Sequence, residues 1–258
     1  MKTLKNIFSI SLITSIGFAI SCDGLDEIID LPLTDVEITQ GLKEALSVGL
    51  NTSVNTASKS GGYLQNEIIK ILLPDEVVQL QSTINSSSIL KPVYDVYLAT
   101  NNGGNDIFEE LIAAMNNGAE NAADKALPIF GNAITSMTIT DARGILDGGQ
   151  RSATDFFEQQ TRLDLVTAFS PDVKNALDGT GAIELFGLVS GFLNQSVGFG
   201  TTVSDFVNVE VPSSIEEYAT GKAVDGLFHL VGEEEKKIRD DPFAWSSAII
   251  ERVFGSNQ

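Results

Sequence analysis

Thr34-Asp35-Val36-Glu37-Ile38-Thr39-Gln40-Gly41-Leu42-Lys43-Glu44-Ala45-Leu46-Ser47-Val48-Gly49 is the stretch whose reading decides the fold class of this chain. Thr34 and Glu37 have the spacing of a capping box. The threonine oxygen can accept from the amide three residues on, while the glutamate reaches back to the amide of Thr34. Behind that start, Ile38, Leu42, Ala45, Leu46 and Gly49 recur at the helical period. They form one apolar face that must be covered by another element. The polar stretch from Asn51 to Gly62 is expected to end or loosen this helix.

The same punctuation repeats along the chain. Ile68-Ile69-Lys70-Ile71-Leu72-Leu73 runs into Pro74, and the residue before a proline is pushed to extended geometry. A short strand-like segment is therefore expected there. Pro74 then opens a helix whose first turn carries Asp75 and Glu76, favourable to its dipole. That helix is expected to reach about Asn85, and another to cover Leu90 to about Ala99. Asn101-Asn102-Gly103-Gly104 reads as a loop. Helical pattern resumes from Asp106 to Met137, with Pro128 starting a new helix. Thr138 or Thr140 caps the next, which stops near Gly148-Gly149. Ser152 is expected to cap a helix to Phe169. Ser170-Pro171 is expected to start another, ended by Gly179. Residues 182 to 194 read as helix, and residues 197 to 211 as extended, with Val207, Val209 and Val211 alternating with polar residues. Pro212-Ser213-Ser214 opens the last long helix. The fold expected is all-α or nearly all-α: a single multi-helix domain over residues 34–255, with one or two short strand-like segments.

Residues 1–21 read as a lipoprotein signal peptide. Lys2 and Lys5 precede an apolar run from Ile7 to Ile20, then Ser21 and Cys22. The run is shorter than the roughly 20 residues a membrane-spanning helix needs, and small residues mark the cut. Ala19-Ile20-Ser21-Cys22 resembles a lipobox, so Cys22 is the expected lipidation site. Residues 22–33, with Asp23, Asp26, Glu27 and Asp30, read as an acidic tether. The expected location is the bacterial cell envelope, with the membrane reached through the N-terminal lipid, on the periplasmic face or the cell surface. Cys22 is the only cysteine, so the chain forms no internal disulfide and relies on a hydrophobic core.

The formal net charge is −19, and loss of Lys2 and Lys5 takes it to −21. Nucleic-acid binding needs a basic face that displaces counterions from phosphates. The one lysine pair in a charged run, Lys236-Lys237, is flanked by Glu233, Glu234, Glu235, Asp240 and Asp241. No nucleic-acid partner is expected.

Several motifs in the second half carry a family resemblance. Met137-Thr138-x-x-Asp141-Ala142-x-x-Ile145-Leu146-x-Gly148-Gly149 is followed by Ala153-Thr154-Asp155-Phe156-Phe157 and Thr161. Later come Ala223-Val224-Asp225-Gly226-Leu227-Phe228, then Glu233 to Arg239 with Asp241-Pro242, and Phe254-Gly255. With Gly41-Leu42-x-x-Ala45-Leu46, these resemble the bacterial family called domain of unknown function 4197, over about residues 34 to 255. The resemblance implies an exported or lipid-anchored helical protein and brings no assigned activity. At position 229 the family pattern more often carries an aromatic than the His found here.

No catalytic constellation is legible. His229 is the only histidine, on a helix stripe with Asp225 and Glu233. The stripe reads as proton-transfer or metal chemistry, or as a solvated face with helix-spaced charge pairs; the second is preferred. Gly187-Leu188-Val189-Ser190-Gly191 has the wrong spacing for a nucleophile elbow. Gly198-Phe199-Gly200 lacks the third glycine of a dinucleotide loop. Ile112 stands where a calcium loop opening at Asn101 needs Glu. No catalytic residue, metal or cofactor is assigned. Asp141, Arg143, Asp155, Arg239 and Asp241 are the candidate binding patch, unless they serve as caps and ion pairs. The expected function is a non-enzymatic helical domain that binds an envelope protein, lipid or glycan. The alternative is a hydrolase or carboxylate-metal protein using clustered Asp and Glu. A cleft with three or more convergent carboxylates would favour the alternative, and a broad exposed apolar groove the first.

Overall fold

In a computed structural model, residues 33–180, 182–207, 214–245 and 247–255 are described, all within one compact unit, Leu33–Gln258. The signal peptide, Cys22, nearly all of the tether, and the expected alternation at Val209 and Val211 lie outside the described residues.

Helix α1 (Asp35–Ser58) starts as its sequence dictates. Thr34 Oγ1 accepts from the Glu37 amide at 3.3 Å, and Glu37 Oε2 accepts from the Thr34 amide at 2.9 Å. It does not loosen at Asn51. Val54 and Ala57 are fully buried, and the buried Ser53 hydroxyl donates to the Gly49 carbonyl at 2.7 Å, so the polar group is satisfied within the helix.

Helices α2 (Asp75–Ser86) and α3 (Leu90–Asn101) follow, with Pro74 at the first N-cap. The chain reverses through Gly103 and Gly104, whose positive φ of 60° and 88° suits glycine. Helix α4 (Ile107–Ala122) is capped by Asp106, and a 3-10 turn at Ala123–Lys125 leads into α5 (Ala126–Ser136). Thr138 and Asp141 close a second capping box on α6 (Ile139–Leu146).

Helix α7 (Ser152–Thr180) corrects the expectation of two helices, since it passes through Pro171 and does not stop at Gly179. A proline there removes one backbone hydrogen bond, which packing of α7 along α4 and α9 offsets. Helix α8 (Ala182–Leu193) leads to a small antiparallel hairpin, β1 (Ser196–Gly198) and β2 (Thr201–Thr202). Ser214 caps α9 (Ile215–Asp240), and a 3-10 turn at Pro242–Ala244 precedes α10 (Ala248–Gly255).

Helix α9 is the axis of the fold. It packs against α1 and α7, while α4 covers α7 and α8, and α10 closes over α1. Phe130 of α5 sits at the centre, edge-on to Phe157 of α7 (6.3 Å between ring centroids) and Phe228 of α9 (5.5 Å). Each ring so buried contributes about 1.5–3 kcal/mol. No helix among the described residues is long and apolar enough to cross a membrane.

The strand-like segment expected at Ile68–Leu73 is only partly so: residues 67–69 form a turn, in which the Lys70 amide donates to the Asn66 carbonyl at 2.9 Å, and only residues 70–73 run on without helix or turn, paired with no strand. Asn116 of α4, fully buried, stands in for one. Its Oδ1 accepts from the Ile71 amide at 2.8 Å, and its Nδ2 donates to the Ile71 carbonyl at 2.7 Å. One side-chain amide thus satisfies both polar groups of a buried backbone unit.

Candidate functional site

The turn that leads into this segment, at residues 61–65, is fixed from two sides. On the α4 side, buried Glu120 accepts from the amides of Gly61, Tyr63 and Leu64, each at 3.0 Å. On the α9 side, the Tyr63 hydroxyl donates to the Ala223 carbonyl at 2.7 Å. Gly226 permits this approach: a Cβ there would lie 2.9 Å from Tyr63 Cε1 and 3.1 Å from Ile69 Cβ.

The turn at residues 67–69 sends Ile68 out and Ile69 in, and from residue 70 on the two-residue period of an extended chain sorts the side chains. Ile69, Ile71 and Leu73 point inward and are buried. Ile68 and Leu72 point outward, at 72% and 59% exposed, beside Val78 of α2. Together with Tyr218, Lys222 and His229 of α9 they line an open groove of about 650 Å³. The Tyr218 hydroxyl donates to the Leu72 carbonyl at 2.9 Å. Its phenol is pushed to a higher pKa by burial, then by Asp75 and Glu76, so it remains a donor. Lys70 lies on the extended segment, and Lys222 holds its ammonium 5.9 Å from the centre of the Tyr218 ring. Within the stripe noted on α9, Asp225 pairs with Arg162 of α7 and Glu233 is exposed. His229 turns into the groove, with Nε2 shielded from solvent and without a hydrogen-bond partner among the described residues.

A second cleft, of about 590 Å³, lies between α5, α6 and α7 and contains Asp141 and Asp164 near Phe156 and Gln160. Asp141 is committed to its helix. Its Oδ2 accepts from the Thr138 hydroxyl at 2.6 Å and the Thr138 amide at 3.0 Å, which hold its pKa below the ordinary carboxylate value.

Of the other candidate charges, Arg143, Asp155 and Arg239 have partners within the fold. Arg143 pairs with Asp35 of α1, both half-exposed. Asp155 lies 3.6 Å from Arg151, one turn away. Asp241 is exposed at the end of α9, where its amide donates to the Lys237 carbonyl at 3.0 Å. Arg239 is 12% exposed and bonds Glu235, itself 5% exposed, at 3.0 Å. The guanidinium also donates to the Ile145 carbonyl at 2.9 Å and stacks on the Phe254 ring at 5.5 Å. Arg239 therefore reaches α6, the helix that carries Asp141 and Arg143.

Glu235 is the residue that sequence reasoning missed. Its carboxylate accepts from the amides of Ala153 and Thr154 at 3.0 and 2.8 Å, and from the Thr154 hydroxyl at 2.7 Å. It caps α7 from 82 residues away. Ser152, the expected cap, instead donates its hydroxyl back to the Ile145 and Gly149 carbonyls. Among the described residues, no group of three or more His, Cys, Asp or Glu is placed to hold a metal ion.

A family model described as "Protein of unknown function (DUF4197)" matches residues 32–255. No curated protein matches the chain, and no solved structure does.

Proposed function

The chain belongs to the DUF4197 family of proteins of unknown function, and from that premise we propose that it is a lipid-anchored envelope protein whose helical domain binds a partner without catalysing a reaction. The observation that carries the binding reading is the groove between the extended segment and α9. It exposes Ile68, Leu72 and Val78 side by side on a rigid backbone. Contiguous exposed apolar surface rimmed by polar groups marks interaction sites. Lys70 and Lys222 are matched in the groove by Asp75 and Asp225, so its charge is balanced and apolar contact carries the reading. An envelope protein presenting apolar side chains fits best, because the Ile71 amide and carbonyl and the Leu72 carbonyl are already bonded within the fold and leave side chains to make the contact.

Anchoring is supported by the order of basic, apolar and small residues ending at Cys22. The tether then sets the domain beside the membrane that holds its partner.

Leu72→Glu tests the groove without opening the core, because Leu72 points outward. Proteins retained by the detergent-extracted wild-type chain should be lost with this variant, while its unfolding midpoint is unchanged. Retention of the same proteins by Leu72→Glu and by a Lys70→Glu/Lys222→Glu double variant would remove the groove from consideration.

A further inference from the structure

The β1–β2 hairpin offers a second and independent surface. Phe199 at its tip is fully exposed and has φ of 54°, with Gly198 and Gly200 on either side at 99° and 78°. A bulky residue seldom adopts left-handed backbone, and such outliers cluster where function requires them. The two-residue hairpin turn between Gly198 and Thr201 requires positive φ at both central positions, and the first of them, where Asn or Gly is usual, here carries a ring that faces solvent. The surroundings are equally unusual. Residues 185–204 contain no Asp, Glu, Lys or Arg, in a chain that is 20% charged.

Two hydroxyls of the hairpin bond its own backbone. The Thr201 hydroxyl donates to the Gly198 carbonyl at 2.6 Å, and the Gly198 amide donates to Ser196 Oγ at 3.4 Å. The first charge after the tip, Asp205, is drawn into a capping box, accepting from the Thr202 amide at 2.7 Å and the Thr202 hydroxyl at 3.0 Å. The tip therefore combines an exposed aromatic with an absence of charge.

We propose that the hairpin tip inserts Phe199 into the interfacial layer of a lipid bilayer. Aromatic rings favour that layer. Entry is opposed by charges, which cost free energy in hydrocarbon, and this segment has none between residues 185 and 204; insertion to the interfacial layer leaves the turn backbone hydrated. A protein pocket is the weaker occupant, because a partner protein would be selected by charge or hydrogen-bond complementarity that the tip does not offer. The net charge of the chain repels anionic headgroups, so contact is expected with zwitterionic lipid. The proposal needs a membrane nearby but not lipidation of Cys22, and the test separates the two.

A hexahistidine tag in place of residues 1–22 holds the chain on phosphatidylcholine vesicles containing a nickel-chelating lipid, whatever the fate of Cys22. The compact unit begins at Leu33, so the tag leaves it whole. Trp245, the only tryptophan, is changed to Phe, and Phe199→Trp supplies the probe. On vesicles with brominated acyl chains, the emission of the Phe199→Trp variant should shift to shorter wavelength and lose most of its intensity relative to plain lipid. Phe243→Trp, at an exposed site outside the hairpin, should do neither. Identical emission of the Phe199→Trp variant on brominated and plain vesicles would overturn the proposal, as would equal quenching of the probe at position 243. A tip probe that stays unquenched on lipid but shifts on mixing with a lipid-free envelope extract would assign the tip to a protein pocket instead.

Discussion

Changing Glu235 to Gln should destabilise the fold through two groups at once. The carboxylate serves the amides of Ala153 and Thr154, the Thr154 hydroxyl and the Arg239 guanidinium. An amide offers one accepting oxygen in place of two, so at least one buried donor loses its partner, at about 1–3 kcal/mol. Removing one member of a buried ion pair costs about 3–5 kcal/mol, because the other charge stays uncompensated. These penalties overlap, and Arg239 keeps the carbonyl of Ile145, so the expected loss is about 3 kcal/mol, near the lower bound for a broken pair. For a domain of this size that corresponds to a fall in Tm of about 6–12 °C. Urea unfolding followed by far-UV circular dichroism reads the change. Asp241→Asn is the control, expected within about 0.5 kcal/mol because its side chain is exposed. A Glu235→Gln/Arg239→Met double variant should lose less than the sum of the singles. A Glu235→Gln loss below about 1 kcal/mol, less than an ordinary lost cap, would refute the view that α6, α7 and α9 are joined through this pair.

Three further outcomes are expected. Glu37 is held at about 2 by its backbone and side-chain hydrogen bonds to Thr34, and Asp141 and Asp205 are lowered by their own capping threonines. A folded-state pKa below the unfolded value means that the caps stabilise fully above about pH 4.3. That contribution is lost as pH falls toward 2, so unfolding midpoints should decline across that window, and less so in Glu37→Gln. Gly226→Ala should lower stability by about 1–3 kcal/mol, because the added methyl forces Tyr63 and Ile69 away from α9; an unchanged melting temperature would contradict the close packing. In a native host, Cys22→Ala should release the domain from membranes or block its maturation, and wild-type protein without lipid mass on its N-terminus would contradict anchoring.

What was legible in the sequence was local. Thr34 with Glu37, and Thr138 with Asp141, announce helix starts because both partners lie within one turn. The Pro74 boundary and the Gly103-Gly104 reversal were readable for the same reason. The errors fall where distant residues decide. Helix α1 outlasts its polar stretch because Ser53 is buried yet bonded within the helix. Helix α7 survives Pro171 because α4 and α9 flank it. Segment 68–73 looked like a strand, but its first two residues lie in a turn and the partner of Ile71 is the side chain of Asn116, 45 residues away. The run Glu233-Glu234-Glu235 reads as charge flanking Lys236-Lys237, yet Glu234 and Glu235 are buried. Period and propensity carry no signal for a carboxylate used as a cap on another helix. The groove was invisible for a related reason. Its residues come from the extended segment, α2 and α9, and only the tertiary fold sets Ile68 and Leu72 beside His229.

The most direct test of the binding reading is photo-crosslinking in native envelopes. A benzophenone side chain at Leu72 should capture one discrete partner, and the same group at Leu163, an exposed apolar site elsewhere on α7, should capture none. No adduct at Leu72, or the same adducts from both positions, would contradict the account.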